Sequence, residues 1–215
     1  MQHTSGVGRV TLRRRIRRGV GGLFLRVFGW EVEGGAPTVD RAVVVAYPHT
    51  SNWDMPFTLA MAFALDVDIR WLGKKSLFTT PVFGSLMRWF GGLSVDRSRR
   101  TNMVDAVVAV IEPMEQGYVL IPPEGTRSKA GRWKSGFYWV AVGAEVPIIL
   151  GFLDFGRKRG GLGEVLEPSG DIHADIERIR AFYADVKGKH PEKQGAITLV
   201  DGGAAKPGQG APVTS

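Results

Sequence analysis

Ala42-Val-Val-Val-Ala-Tyr47 runs directly into Pro48-His-Thr-Ser-Asn-Trp-Asp54, and the helix-forming run Met55–Leu65 carries the chain away. An apolar run followed by a helical one reads as a buried strand and then a helix. His49 therefore sits at a strand-to-helix turn, where side chains project from rigid elements into a cleft. In one continuous helix Asp54, five residues on, would lie about 140° around the axis from His49. The two can meet only if the helix begins between them. Ser51 and Asn52 are good N-cap residues for such a start, and Pro48 restricts the chain that enters it. A histidine held by a carboxylate is a general base of fixed tautomer. The plainer alternative makes Asp54 a first-turn acid that favours the helix dipole and His49 an ordinary loop residue. On this stretch alone both readings stand.

The rest of the composition narrows the field. A chain of 215 residues suits one domain with a proper core. Its apolar content of 44% and charged content of 23% are those of a globular fold. It has no cysteine, which excludes disulfides and thiolate metal sites and permits a reducing compartment. His3, His49, His173 and His190 form no metal-ligand spacing, so no metal is expected. The net charge of +7 has a location: residues 1–30 hold seven arginines and no acid, and the remaining 21 basic and 21 acidic residues cancel. A balanced body with a basic arm is unlike a nucleic-acid-binding domain, whose basic face spreads over the fold. It is like a juxtamembrane polybasic segment.

Leu12, Ile16, Val20, Leu23, Phe24 and Val27 form a helical apolar stripe, with Arg13, Arg14, Arg15, Arg17 and Arg18 beside it. Its apolar part, Val20–Trp30, is about half the length a bilayer span needs and contains Arg26. Residues 1–30 are therefore expected to lie on a membrane surface, the alternative being a first helix docked on the core. Further strands are expected at Trp30–Gly34, Ile69–Gly73, Gly91–Asp96, Tyr118–Ile121 and Val146–Phe152, and helices at Pro81–Phe90, from Asn102, at Gly136–Val142 (capped by Ser135) and from Ile172. Gly156–Gly163 reads as a Gly/Arg/Lys loop, and residues 188–215 as a polar, Gly- and Pro-rich disordered tail. Residues 31–187 then form one α/β domain, a mostly buried mixed sheet flanked by helices. In such sheets sites gather at strand ends. Polar residues that the core does not need stand at three of them, near His49, Arg97 and Glu124.

Four blocks in order resemble the phospholipid/glycerol acyltransferase family, which includes the 1-acylglycerol-3-phosphate acyltransferases. They are His49-Thr-Ser-Asn-Trp-Asp54, matching the family's His-x4-Asp motif; Gly91-Gly-Leu-Ser-Val-Asp-Arg97, similar to its acceptor block; Pro123-Glu-Gly-Thr-Arg-Ser128, matching its signature; and Val146-Pro-Ile-Ile149. Lys74 falls where the family has a lysine before a Leu-Phe pair, here Leu77-Phe78. The likeness covers roughly residues 30–155. It departs at Pro48, where many members have Asn, at Ile121-Pro122, where an aromatic commonly stands, and at Leu150, where a second proline often falls. These departures bear on the acceptor rather than the reaction.

The resemblance implies O-acyl transfer from a thioester, acyl-CoA or acyl carrier protein, to a hydroxyl of a lyso-phospholipid or related glycerolipid, with no cofactor. It assigns His49 as general base and Asp54 as the group that orients it. The absence of a Gly-x-Ser-x-Gly elbow and of cysteine leaves direct attack on the thioester as the simpler route. Acceptors of this family usually carry a phosphate, for which Arg97 and Arg127 offer bidentate donors and Lys74 a point charge. The structural alternatives are an ion pair of Arg97 with Asp96 or Asp105, a surface pair for Arg127, and a solvated Lys74. Glu124 either binds an acceptor hydroxyl or pairs with Arg127; Gly125 lets the backbone approach substrate, and Thr126 completes the signature. Trp133, Phe137, Tyr138 and Trp139 read as core. Arg157, Lys158 and Arg159 read as a solvated loop. The enzyme is expected in the cytoplasm, bound peripherally to the anionic inner face of the cell membrane. Competing readings are a thioesterase using the same base on water and a non-catalytic lipid-binding protein, against which the intact His49/Asp54 pair argues.

Overall fold

The strand-forming runs assemble into one mixed sheet. The computed structural model describes residues 12–95, 103–128 and 131–200. Helix α1 (Leu12–Phe28) is followed by strands β1 (Glu31–Gly34) and β2 (Arg41–Tyr47), helix α2 (Asp54–Ala64), strand β3 (Ile69–Lys74), helix α3 (Pro81–Trp89) and strand β4 (Gly92–Val95). Helix α4 (Met103–Ile111), strand β5 (Gly117–Ile121), helix α5 (Gly136–Gly143), strands β6 (Ile148–Asp154) and β7 (Arg159–Leu166), and helix α6 (Ile172–Phe182) complete the series. The strand order is β1-β7-β6-β2-β5-β3-β4. Only the β6–β7 pairing is antiparallel among the described strands.

Side chains alternate across a strand, so β2 feeds two cores. Val43 and Val45 join Val119, Ile148 and Leu150 beneath α4, α5 and α6. Ala42 and Val44 join Ile69, Leu120, Ile149 and Leu162 on the other face, against α2. Burial on both faces is why these strands read as continuous apolar runs. Because β2 through β6 run the same way, the C-terminal ends of all five strands lie on one edge of the sheet.

Helix α1 docks on the core along one side and leaves an apolar stripe exposed on the other. One face seats on α2, with Leu25 buried beside Trp30, Phe57, Ala60 and Met61. Gly21 allows that approach, since a Cβ there would stand 2.6 Å from the Ala60 carbonyl oxygen. Arg17, counted among the arginines of the polar side, turns inward. Its guanidinium lies 4.5 Å from the centre of the Phe63 ring and donates to the Trp89 carbonyl at 2.8 Å. Burial lowers the Arg17 pKa from its usual value, the nearby Arg13 charge adding to this and Asp68 opposing it. Arg14 faces Asp66 at 3.9 Å. Leu12, Ile16, Val20, Leu23 and Val27, at helical spacing, stay half or more exposed. No described helix is long and apolar enough to cross a membrane.

Two expectations are corrected. Much of the supposed loop Gly156–Gly163 is strand β7, which pairs with both β6 and β1. Its glycines reflect crowding rather than a turn: a Cβ on Gly161 would stand 1.9 Å from the Glu33 carbonyl oxygen. The turn before it is tied down, Arg157 Nε donating to Asp154 Oδ2 at 2.6 Å and Lys158 Nζ to the Phe28 carbonyl at 3.3 Å. Residues 188–200 are likewise not a disordered tail. They contain a 3₁₀ turn at Pro191–Lys193, bury Ile197, and bridge Leu199 to Trp133. Residues 201–215 lie outside the described residues.

Candidate active site

Strand β2 delivers the chain to the shared C-terminal edge, where Thr50, Ser51 and Asp54 are buried polar residues. Helix α2 starts at Asp54 with Trp53 in the cap position and no side-chain cap, so Ser51 and Asn52 do not cap it as expected. The carboxylate reaches backwards instead. Asp54 Oδ2 accepts the Ser51 N–H at 2.8 Å and faces His49 Nδ1 at 3.2 Å, while the Ser51 hydroxyl accepts the Trp53 N–H at 3.1 Å. One carboxylate oxygen thus both orders the helix entry and faces the histidine. The other oxygen, Oδ1, is buried without a hydrogen-bond partner among the described residues. With Nδ1 turned to the carboxylate, Nε2 is the nitrogen left for a substrate proton. The His49 side chain is partly open to solvent, at 22%, against 6% for Asp54. A histidine so held is suited to proton transfer.

Strand β5 brings Glu124–Arg127 to the same edge. Glu124 is 3% exposed, and among the described residues no ion pair joins it to Arg127 or to another cation. Its Oε2 accepts the backbone N–H of His49 at 2.8 Å and its Oε1 that of Gly195 at 3.1 Å. Burial raises the Glu124 pKa above its usual value, and the two N–H donors and His49 oppose the rise. Gly125 has φ +65°, a left-handed conformation that favours glycine. The space over it holds Lys134, whose Nζ lies 3.3 Å from where a Cβ would be. The Thr126 hydroxyl accepts the Ser128 N–H at 3.2 Å and so shapes the turn. Arg127 is exposed, and no ion pair engages it among the described residues. Lys74 is exposed at the end of β3, in register with Val95 at the end of β4. Arg97 lies outside the described residues.

Beneath the His49 turn a largely apolar cavity opens between the sheet and α2, lined by Pro48, Asp54, Met61, Ala62, Leu65 and Phe152 among others. Among the described residues no three His, Asp or Glu side chains converge as metal ligands would. Trp133, Phe137 and Tyr138 are buried in the core, as expected, and Trp139 packs against it half-buried. Sequence reasoning missed Lys134 and Gly195. The first is one unremarkable lysine beyond the signature, and the second acts through its main chain, which leaves no side-chain signal.

Residues 30–149 match the Acyltransferase family. Over 133 residues the chain is 35% identical to 1-acyl-sn-glycerol-3-phosphate acyltransferase of Escherichia coli strain K12, covering 57% of this chain and 52% of that protein. The protein of the same name from Haemophilus influenzae is 32% identical over 133 residues, covering 57% and 53%. The chain thus spans about half the length of the curated relatives it matches. The crystal structure of the 1-acyl-sn-glycerophosphate acyltransferase from Thermotoga maritima has a similar fold, with a TM-score of 0.54 and 18% identity, covering 79% of this chain and 76% of that one. The family match takes in more than half of the chain, from Trp30 through the His49 turn and the Glu124 block to the start of β6. This protein belongs to the acyltransferase family.

Proposed function

We propose that this chain transfers a fatty acyl group from a thioester, on CoA or an acyl carrier protein, to the free hydroxyl of a lyso-phospholipid of the 1-acylglycerol-3-phosphate type. The observation that carries this reading is the 3.2 Å approach of His49 Nδ1 to the buried Asp54 carboxylate at the sheet's C-terminal edge, within a family-matched segment. His49 Nε2 takes the hydroxyl proton as the oxygen attacks the thioester carbonyl. The tetrahedral intermediate collapses, the carbon–sulfur bond breaks, and the leaving thiolate takes the proton back from the imidazolium. Asp54 keeps Nδ1 protonated and stabilises the ring while it is charged. General bases of this kind contribute about 10²–10⁴-fold to turnover.

Lys74 and Arg127, exposed at strand ends on the same edge, supply cations for the acceptor phosphate, and Arg97 is the third candidate. The apolar cavity below Asp54 suits an aliphatic chain. The exposed stripe from Leu12 to Val27, flanked by Arg13, Arg15, Arg18 and Arg26, suits a helix lying on an anionic lipid surface, with the enzyme peripheral at the inner leaflet.

The test is incubation of purified protein with acyl-CoA and a panel of lyso-acceptors, with the lipid products identified. Thiol release that depends on a phosphorylated lyso-acceptor, with the diacyl product formed, supports transfer. Release independent of acceptor supports the thioesterase.

A further inference from the structure

The segment following α6 returns to the His49 turn and contacts it at several points. Gly188 packs against Thr50 and Pro48 so closely that a Cβ would stand 2.8 Å from the Thr50 hydroxyl. The His190 N–H donates to that hydroxyl at 3.2 Å. Tyr47, which ends β2, donates its phenol proton to the Gly195 carbonyl at 2.9 Å. The Gly195 N–H then donates to Glu124 Oε1, whose partner oxygen holds the His49 N–H. The segment is itself braced. Gln194 bridges Gly188 N–H and the Val186 carbonyl, Arg180 donates twice to the Ile197 carbonyl, and Trp133 exchanges backbone hydrogen bonds with Thr198 and Val200.

We propose that residues 188–200 form a strap that positions the His49 turn, and that Glu124 is the clamp between strap and turn rather than an acceptor ligand. The strap lies beyond residues 30–149, the family-matched segment, so the family match says nothing of it. The physical reason is the demand of the site. His49 Nε2 must stand within hydrogen-bond reach of a hydroxyl, and the ring's placement depends on the backbone that carries it. That backbone leaves the sheet at Tyr47 and joins α2 only at Asp54. Between those points the strap satisfies Thr50 directly and His49 through Glu124. A carboxylate whose two oxygens each accept a backbone N–H ties two segments distant in sequence with charge-assisted hydrogen bonds. Glu124 and Gly195 are positioning residues in this account, which rests on the acyl-transfer reading for its kinetic readout alone.

The experiment uses the full chain with Gly195→Pro, which removes the N–H that the strap donates to Glu124, and Glu124→Gln, which keeps an acceptor for one donor but not both. Each variant is checked for native folding by circular dichroism. Loss of the charge-assisted bond should lower kcat by about 10- to 100-fold, with KM for donor and acceptor nearly unchanged. The double variant should lose little more than the worse single one, since both act on one contact. Amide exchange over the peptide from Tyr47 to Asp54 should rise in both single variants. That readout makes no use of the reaction: raised exchange in a protein that never transferred acyl groups keeps the strap and sinks the acyl-transfer reading. Where Gly195→Pro does not fold, Gln194→Ala, which releases the brace at Gly188 and Val186, takes its place with the same expectations. Unchanged kcat and exchange in folded variants overturns the strap. A rise in acceptor KM confined to Glu124→Gln overturns the clamp and returns Glu124 to the acceptor site.

Discussion

One carboxylate oxygen, Asp54 Oδ2, lies 3.2 Å from His49 Nδ1 and 2.8 Å from the Ser51 backbone nitrogen. The carboxylate that faces His49 therefore also closes the turn that carries it. Asp54→Asn should keep an acceptor for Ser51 but lose the charge that favours the imidazolium. Turnover should fall steeply while the melting temperature changes little. Asp54→Ala should in addition lose about 1–3 kcal/mol of stability, the cost of leaving a buried donor unpaired. Denaturant unfolding beside steady-state kinetics of both variants separates the two roles, and equal stability losses would contradict the division.

Arg17 and its neighbours on α1 should behave differently. Arg17 is folded over Phe63 and Trp89, so Arg17→Ala should lower the melting temperature and leave vesicle binding of the folded protein nearly intact. Arg13, Arg15, Arg18 and Arg26 are exposed. Changing these four to Gln should weaken binding to anionic vesicles by about 1 kcal/mol for each charge at low salt, and by less at high salt. Co-sedimentation with anionic and neutral vesicles reads this. Unchanged binding by the four-Gln variant would make α1 a docking helix only.

Arg127, exposed on a turn shaped by Gly125 and Thr126, is expected to meet the acceptor phosphate. Arg127→Ala should raise KM for a phosphorylated acceptor by an amount corresponding to about 1.5–3 kcal/mol, with the donor KM little changed. The same experiment on Lys74→Ala should give a smaller effect of the same kind. Equal effects on both substrates would remove Arg127 from the acceptor site.

Burial holds the Glu124 carboxyl above its usual range, so the folded protein keeps this proton to a higher pH than the unfolded chain does. The resulting stabilisation is complete below the unfolded value, about 4.3, and is lost as pH rises through the raised folded value. Glu124→Gln cannot titrate. The stability difference, wild type minus variant, should therefore fall across that window, on top of a constant offset from the changed hydrogen bond. Parallel curves of melting temperature against pH would contradict the raised carboxyl.

The parts of this fold that were legible in the sequence are those whose cause is local. Val43–Val45 and Ile148–Leu150 are buried on both faces of the sheet, and apolar runs bounded by turns declare that directly. His49 and Asp54 meet because the helix starts at Asp54, a constraint visible in their spacing. Strand β7 was hidden because close approach to Glu33 selects glycine at 161, and glycine imitates a loop. The strap was hidden for a different reason. It is polar in composition, and its contacts to Glu124, Tyr47 and Trp133 run through backbone atoms that any residue possesses. The same cause concealed the role of Glu124, whose partners are two main-chain nitrogens rather than the arginine three residues away.

The central claim is that His49 is the base for acyl transfer. Its most direct test is the rate of acceptor-dependent diacyl product formation from acyl-CoA and 1-acylglycerol-3-phosphate by wild type and by His49→Ala, each shown to be folded. Wild type should form product, and the variant should lose about 10²–10⁴-fold in turnover with acceptor KM little changed. Near-normal product formation by a folded His49→Ala protein would contradict this claim.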